Sequence, residues 1–83
     1  MRYWGKIKIE DIICRDYTIN SHDFKSAVSG ICYKFDLSKP VILDKHINEM
    51  ALFNRTVFSP DDFIESVSFD SFEIEKIASR KKV

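Results

Sequence analysis

The chain has 83 residues, a length that fits one core, so we predict a single domain over residues 1–83. Hydrophobic residues make up 45% of the chain, which excludes an intrinsically disordered protein. The 13 basic and 13 acidic residues balance each other, which argues against a dedicated nucleic-acid binder and against attachment to anionic membranes.

We expect no targeting signal at the start of the chain. The segment Met1–Lys6 is neither an apolar signal core nor a cleavage site, and no apolar run approaches the length of about 18 residues that a membrane span requires. We therefore predict a cytoplasmic protein that has no membrane partner.

Residues 2–19 alternate between apolar and polar side chains and contain many β-branched types, which predicts two strands. Trp4, Lys6 and Lys8 share one face of the first strand. The Glu10-Asp11 step interrupts the alternation and predicts an antiparallel hairpin. Because Glu-Asp is not a preferred two-residue turn, we expect the loop to be longer by a residue on each side.

An amphipathic helix from about Asn20 to Asp36 is the best-defined element of the sequence. Asn20 or Ser21 is its predicted N-cap, and apolar residues then follow at helical spacing. This apolar stripe consists of Phe24, Ala27, Val28, Ile31, Cys32 and Phe35. Gly30 costs about 1 kcal/mol relative to Ala inside a helix, so it indicates close backbone packing.

The two cysteines, Cys14 and Cys32, form no CxxC pair, so a zinc or redox motif is absent from the sequence. Both have apolar neighbours, and we interpret them as small buried thiols. A disulfide between them is the alternative that the sequence leaves open.

Pro40 ends the first helix, and Asp44 is a good N-cap for a second, shorter helix that runs to about Phe53. The residues of this second helix that we expect to face the core are Ile47, Met50, Ala51 and Phe53. A short strand is predicted near Thr56, and Ser59-Pro60-Asp61-Asp62 is a start signal for a helical turn.

The last third of the chain fits neither secondary-structure period well. A strand is favoured over Phe72–Glu75, and a helix through Phe69, Phe72, Lys76 and Ile77 is the alternative. Residues 79–83 are basic and polar, and we predict that they form a frayed tail.

Two groups of polar residues suggest chemistry. His46 and Glu49 are three residues apart on the second helix, a spacing that can supply two metal ligands. Asp61 and Asp62 suggest acid–base catalysis or a cation site. We favour a hydrogen-bonded surface pair for the first group and helix capping for the second, because no further ligands are visible. No catalytic residue, cofactor site or metal site is therefore assigned.

A third group combines aromatic and basic side chains on the hairpin. It contains Trp4, Lys6 and Lys8 on the first strand and Arg15 and Tyr17 on the second. Such a surface can stack bases and pair with phosphates, or bind another protein. The alternative is that Trp4 packs under another element while the lysines extend into solvent.

A further pattern consists of the segments Trp4–Ile7, Ile31–Pro40 with Leu43 and His46, Thr56–Glu65, Phe69–Asp70 and Glu73–Glu75. In these segments the chain resembles a family of small bacterial proteins of unknown function. The resemblance implies no activity, cofactor or partner.

We predict an α+β fold with an antiparallel sheet of three to four strands, one long amphipathic helix and a second shorter one, in the order ββααβ with an extra short strand. For function, we predict a non-enzymatic protein-interaction or regulatory module that binds another protein or itself as a homodimer. A nucleic-acid-binding accessory protein that uses Trp4, Lys6, Lys8, Arg15 and residues 80–82 is the second hypothesis. A small metal-dependent enzyme is the third.

Overall fold

The computed structural model describes residues 1–77, which form a four-stranded antiparallel sheet and two helices. In chain order the elements are β1 (Arg2–Ile9), β2 (Ile12–Asn20), α1 (Phe24–Phe35), α2 (Asp44–Phe53), β3 (Arg55–Phe58), a 3₁₀ turn (Pro60–Asp62) and β4 (Ser71–Ile77). The sheet order is β2-β1-β4-β3. The predicted tail, residues 79–83, lies outside the described residues.

The predicted α+β class, the short strand near Thr56 and the strand over Phe72–Glu75 are all confirmed. The two helices do not divide clearly into one long and one shorter helix, because α1 has 12 residues and α2 has 10. Both helices contact the same face of the sheet: Phe24 of α1 and His46 of α2 both pack against the ring of Phe58 in β3. We call this the inner face, and the opposite face, with Trp4, Lys6 and Lys8, the outer face.

The β1–β2 hairpin has a two-residue turn, so the prediction of a longer loop is wrong. Ile9 pairs with Ile12, and both Glu10 and Asp11 have positive φ angles, 53° and 66°. A turn with two positive φ angles matches the twist of the strands. The carboxylate of Asp70 accepts a hydrogen bond from the Glu10 amide at 2.7 Å and so stabilises this unfavourable turn sequence.

The register of β2 against β1 shifts by one residue at Cys14, which has no opposite residue in β1. Such a β-bulge moves the following side chains to the other face. From Arg15 to Asn20 the pairing with β1 is regular over six consecutive residues. The structure leaves Cys14 exposed, so the prediction of two buried thiols is wrong for this residue, and both cysteines are free.

Helix α1 begins later than predicted. Asn20 pairs with Arg2 and therefore belongs to β2, and the N-cap is Asp23, whose side chain accepts a hydrogen bond from the Ser26 amide at 2.7 Å. The apolar stripe is confirmed, since five of its six members are buried and Phe24 packs against them. Burial raises the pKa of the Cys32 thiol to about 11, so this stripe cysteine is a core residue and no nucleophile.

Helix α2 presents a different side to the core than the sequence predicted. His46 and Met50 are buried, whereas Ile47 and Phe53 are 41% and 68% exposed. The N-cap is Leu43 rather than Asp44, and its amide donates a hydrogen bond to Nδ1 of His46 at 2.9 Å. A polar residue is thus buried where the hydrophobic pattern placed only apolar ones.

Phenylalanine rings fill the centre of the core. The ring of Phe72 in β4 lies 5.9 Å from that of Phe58, 6.0 Å from that of Phe63 and 6.3 Å from that of Phe35, measured between centroids. Because such contacts add to the burial of large apolar surfaces, this cluster joins α1, β3 and β4 into one core, and α2 reaches it through the contact of His46 with Phe58.

We predict that Gly5→Ala lowers the free energy of unfolding by about 1–3 kcal/mol, because a methyl group at Gly5 overpacks the contact between β1 and α1. A Cβ atom there would lie 2.6 Å from Cγ2 of Ile31, a branch methyl on a buried helical residue that cannot rotate away. Urea denaturation measures the effect.

Gly30→Ala is the matched control. Its Cβ would meet the end of the half-buried Ile19 side chain, which can rotate, and Ala gains about 1 kcal/mol of helix propensity. Equal losses for both variants would contradict the assignment of Gly5 as the contact whose neighbour cannot move aside.

Candidate interaction surface

Within residues 1–77, no helix packs on the outer face of the sheet. Trp4 is half-buried there, and its Nε1 donates a hydrogen bond to the Asp16 carboxylate of β2 at 2.8 Å. The ammonium of Lys6 lies 3.9 Å from the centroid of the Trp4 ring. Trp4 is therefore part of a polar cluster on the sheet surface and is not covered by another element of this range.

The two lysines of β1 are paired with carboxylates of β4. Nζ of Lys6 lies 2.9 Å from Glu75 and 3.4 Å from Glu73, and Nζ of Lys8 lies 2.8 Å from Glu73. Arg55 of β3 lies 3.6 Å from Glu73 on the other side. With Asp16, this outer-face network contains three basic and three acidic side chains, so its charges cancel.

Glu73 is the centre of this network, and only 4% of the residue is exposed. Burial alone would raise the pKa of its carboxyl. The hydrogen bonds and charges of Lys8 and Lys6 outweigh burial and hold that pKa below the ordinary value of 4.5. Glu73 is therefore ionised at neutral pH and satisfies both lysines.

Arg15 and Tyr17 lie on the inner face, away from Trp4, Lys6 and Lys8. The Arg15 guanidinium carbon is 4.8 Å from the ring centroid of Phe35, and Nζ of Lys34 is 5.2 Å from that of Tyr17, both contacts being with α1. The structure thus divides the five predicted residues of the hairpin into two groups on opposite faces.

Strand β2 is an edge of the sheet. It pairs with β1 on one side, and no strand of residues 1–77 pairs with its other side. Seven of its nine residues are exposed, including Ile12 at 65%. An edge strand offers free amide and carbonyl groups to another chain, and proteins usually protect it with lysine, proline or a bulge. Strand β2 carries the bulge at Cys14 and the charged residues Arg15 and Asp16, whereas residues 17–20 contain no charged side chain and no proline.

Two of the four predicted polar residues, His46 of α2 and Asp62 of the 3₁₀ turn, lie together. His46 is fully buried, and because its Nδ1 accepts the Leu43 amide, its proton lies on Nε2. That Nε2 makes no hydrogen bond within the described residues and lies 3.4 Å from Oδ2 of Asp62. The same oxygen accepts the Ser59 amide at 2.9 Å, so His46 and Asp62 each cap the first turn of a helical segment.

Glu49 and Asp61 do not join His46 and Asp62. Glu49 accepts a hydrogen bond from the hydroxyl of Thr56, and Asp61 is exposed. Over residues 1–77, no three His, Cys, Asp or Glu side chains come close enough together to hold a metal ion.

A cleft of about 480 Å³ beside the bulge exposes Cys14 and Arg15. Its other lining residues among residues 1–77 are serines and apolar residues, so no carboxylate or histidine of this range lines the cleft to activate the thiol.

Comparison with protein-family models, curated proteins and solved structures finds no match for this chain. The resemblance to small bacterial proteins therefore stays a prediction. In the part of the chain that the structure describes, no helix is long and apolar enough to span a membrane.

Sequence reasoning missed the two carboxylates that neutralise the lysines of the outer face, Glu73 and Glu75. The alternation in Phe72-Glu73-Ile74-Glu75 did place both carboxylates on one side of a strand. The alternation does not show which residues lie opposite these carboxylates. Only the pairing of β4 with β1 sets Glu73 opposite Lys6.

We predict that Glu73→Gln lowers the free energy of unfolding by about 2–3 kcal/mol at pH 7, because it leaves Lys8 unpaired and Lys6 with one carboxylate. The matched control is Glu75→Gln, whose side chain is 39% exposed and which we expect to cost less than about 1 kcal/mol. Urea denaturation compares the two.

The free energy of unfolding that Glu73→Gln loses depends on pH in a defined direction. Because the pKa of Glu73 is lowered on folding, its stabilisation is present above about pH 4.5 and disappears as the pH falls through the lower folded value. The difference between wild type and Glu73→Gln should therefore shrink in acid. A difference that stays constant from pH 7 to pH 3 would contradict the proposed pairing.

We predict that His46→Phe lowers the free energy of unfolding by about 1–2 kcal/mol, although it keeps a ring against Phe58, because the Leu43 amide loses its acceptor. His46→Asn supplies an oxygen near the position of Nδ1 and is the control for the hydrogen bond. If amide exchange at Leu43 is equally fast in both variants, the capping role is wrong.

Proposed function

We propose that this protein is a non-enzymatic protein-interaction module that binds an extended segment of a partner along the free edge of β2. The observation that carries the proposal is the regular, exposed segment Arg15–Asn20. Within residues 1–77, no strand pairs with the free edge of this segment. In β-strand addition, main-chain hydrogen bonds supply much of the affinity and alternate side chains supply specificity.

The composition of this segment supports the proposal. It contains no lysine and no proline, and its side chains are mixed: Tyr17 and Ile19 are half-buried on the inner face, while Asp16 and Thr18 are exposed on the outer face. An added strand would cover both half-buried apolar side chains and extend the core of the inner face.

The outer face favours a protein partner over a nucleic acid. Phosphate binding depends on basic side chains that can release their counterions to solvent. Lys6 and Lys8 already contact Glu73, and the acidic and basic groups of the network cancel. A nucleic acid would have to displace Glu73 from both lysines, and residues 80–82 of the second hypothesis lie outside the described residues.

The test is affinity capture from a nuclease-treated lysate with tagged wild type, Thr18→Lys and Asn48→Lys. Thr18→Lys places a charge at the β2 edge, whereas Asn48→Lys adds the same charge on the exposed side of α2. We expect wild type and Asn48→Lys to retain the same proteins and Thr18→Lys to lose them.

Hydrogen–deuterium exchange then locates the contact. In the captured complex, the amides of residues 15–20 should exchange more slowly than in the isolated protein. Capture that survives Thr18→Lys, or a complex without protection at residues 15–20, would overturn the proposed use of the edge.

A further inference from the structure

We infer that the segment added to β2 is β2 of a second copy of this chain, paired antiparallel about a two-fold axis at Thr18. This inference rests on the proposed function and deepens it by naming the partner. The two four-stranded sheets would join into one continuous sheet of eight strands. Its support comes from the faces, charges and length of the segment Arg15–Asn20.

The geometry of a ladder first limits the register. A two-fold axis that joins two equal edges stands perpendicular to the sheet, so the inner faces of both copies point to the same side. Residues that face each other across a ladder point to the same side as well. Each allowed register therefore places one residue of β2 opposite the same residue of the second copy. We call this residue the centre of the register.

Charge excludes two of these centres. A centre at Arg15 sets two guanidinium groups opposite each other, and a centre at Asp16 sets two carboxylates opposite each other. Like charges directly opposite in a sheet are destabilising. A centre at Ile19 leaves a ladder of three residues on each strand, because β2 ends at Asn20.

A centre at Tyr17 brings two further charges together. Lys34 of α1 lies over the Tyr17 ring, 5.2 Å from its centroid, so two facing Tyr17 residues would bring two Lys34 ammonium groups close together. The same register sets Arg15 opposite Ile19 of the other copy. The centre at Thr18 avoids both conflicts.

With the axis at Thr18, the facing pairs suit each other. Thr18 meets its own copy on the outer face, Tyr17 meets Ile19 on the inner face, and Asp16 meets Asn20. Threonine pairs and aromatic–β-branched pairs are among the stabilising cross-strand combinations, and an amide can donate to a carboxylate. The ladder uses residues 16–20 and stops short of the bulge at Cys14.

Helix α1 adds surface to the same contact. Ser26, Gly30 and Tyr33 share one side of the helix, and a Cβ at Gly30 would meet Ile19 of β2, so this side lies towards the free edge. Tyr33 is 88% exposed. The two-fold axis would bring this side of α1 towards the same side of the second copy, where Tyr33 could be covered.

The first experiment is sedimentation equilibrium over a range of protein concentrations. We expect the wild-type mass to rise from 9.7 kDa to twice that value, and Thr18→Lys to stay at the mass of one chain. Asn48→Lys should associate like wild type. A wild-type protein that stays monomeric at millimolar concentration overturns the dimer.

Cysteine cross-linking then tests the register, in a background with Cys14→Ser. The Cα atoms of two facing Thr18 residues would be about 4.5–5.5 Å apart, within disulfide range. Two Asn20 residues would be about 14 Å apart. We expect Thr18→Cys to oxidise to the dimer roughly tenfold faster than Asn20→Cys or Asp16→Cys. A mixture of Asp16→Cys and Asn20→Cys should cross-link as a heterodimer, because these two positions face each other.

The outcomes separate this inference from the proposed function. Faster cross-linking of Asp16→Cys or Asn20→Cys with itself than of Thr18→Cys would overturn the register. A monomeric protein that still captures a lysate protein through its edge, and loses it with Thr18→Lys, refutes self-pairing but keeps the proposed function. A monomer whose capture is insensitive to Thr18→Lys refutes both.

Discussion

The pairing of β1 with β4 is the constraint on which the rest of the structure depends. It joins the first strand to the last over seven consecutive residue pairs and places β1 in the interior of the sheet. Adjacent residues of β1 then lie in different environments on the two faces of the sheet. Gly5 lets α1 approach the inner face, and Lys6 is buried on the outer face because Glu73 and Glu75 neutralise it. Without β4, the phenylalanine core would lose Phe72 and Lys6 would lose both carboxylates.

Local signals in the sequence predicted most of the elements but not their long-range contacts. The stripe on α1 was predictable because six apolar residues repeat at helical spacing, and five of them are buried. The start of α1 was not predictable from local signals. Asn20 is a good helix cap in isolation, but in the fold it pairs with Arg2 and belongs to β2. His46 was placed at the surface because a polar residue normally faces solvent, yet its Nδ1 caps the helix from within the core.

The candidate surface divides in the same way. The face of Trp4, Lys6 and Lys8 followed from alternation, whereas its neutral character followed only from the position of Glu73. The sequence predicts β2 as a strand but does not indicate its place in the sheet. Only the strand order shows that β2 lies at an edge, with free backbone groups. A sheet with a neutralised outer face and a free edge at residues 17–20 is better suited to recognise backbone than phosphate, since the edge offers hydrogen bonds that need no excess charge.

The strand order also affects how the chain reaches its native state. The β1–β2 hairpin is local and can form early, but β1 acquires its second neighbour only when residues 71–77 arrive from the far end of the chain. During synthesis, the hairpin therefore has two open edges for as long as the intervening helices and β3 are being made. Pairing of such distant segments is slow compared with helix formation, and exposed edges in this interval favour aggregation. The same backbone groups that suit β2 to a partner in the folded protein make the nascent chain vulnerable before β4 is in place.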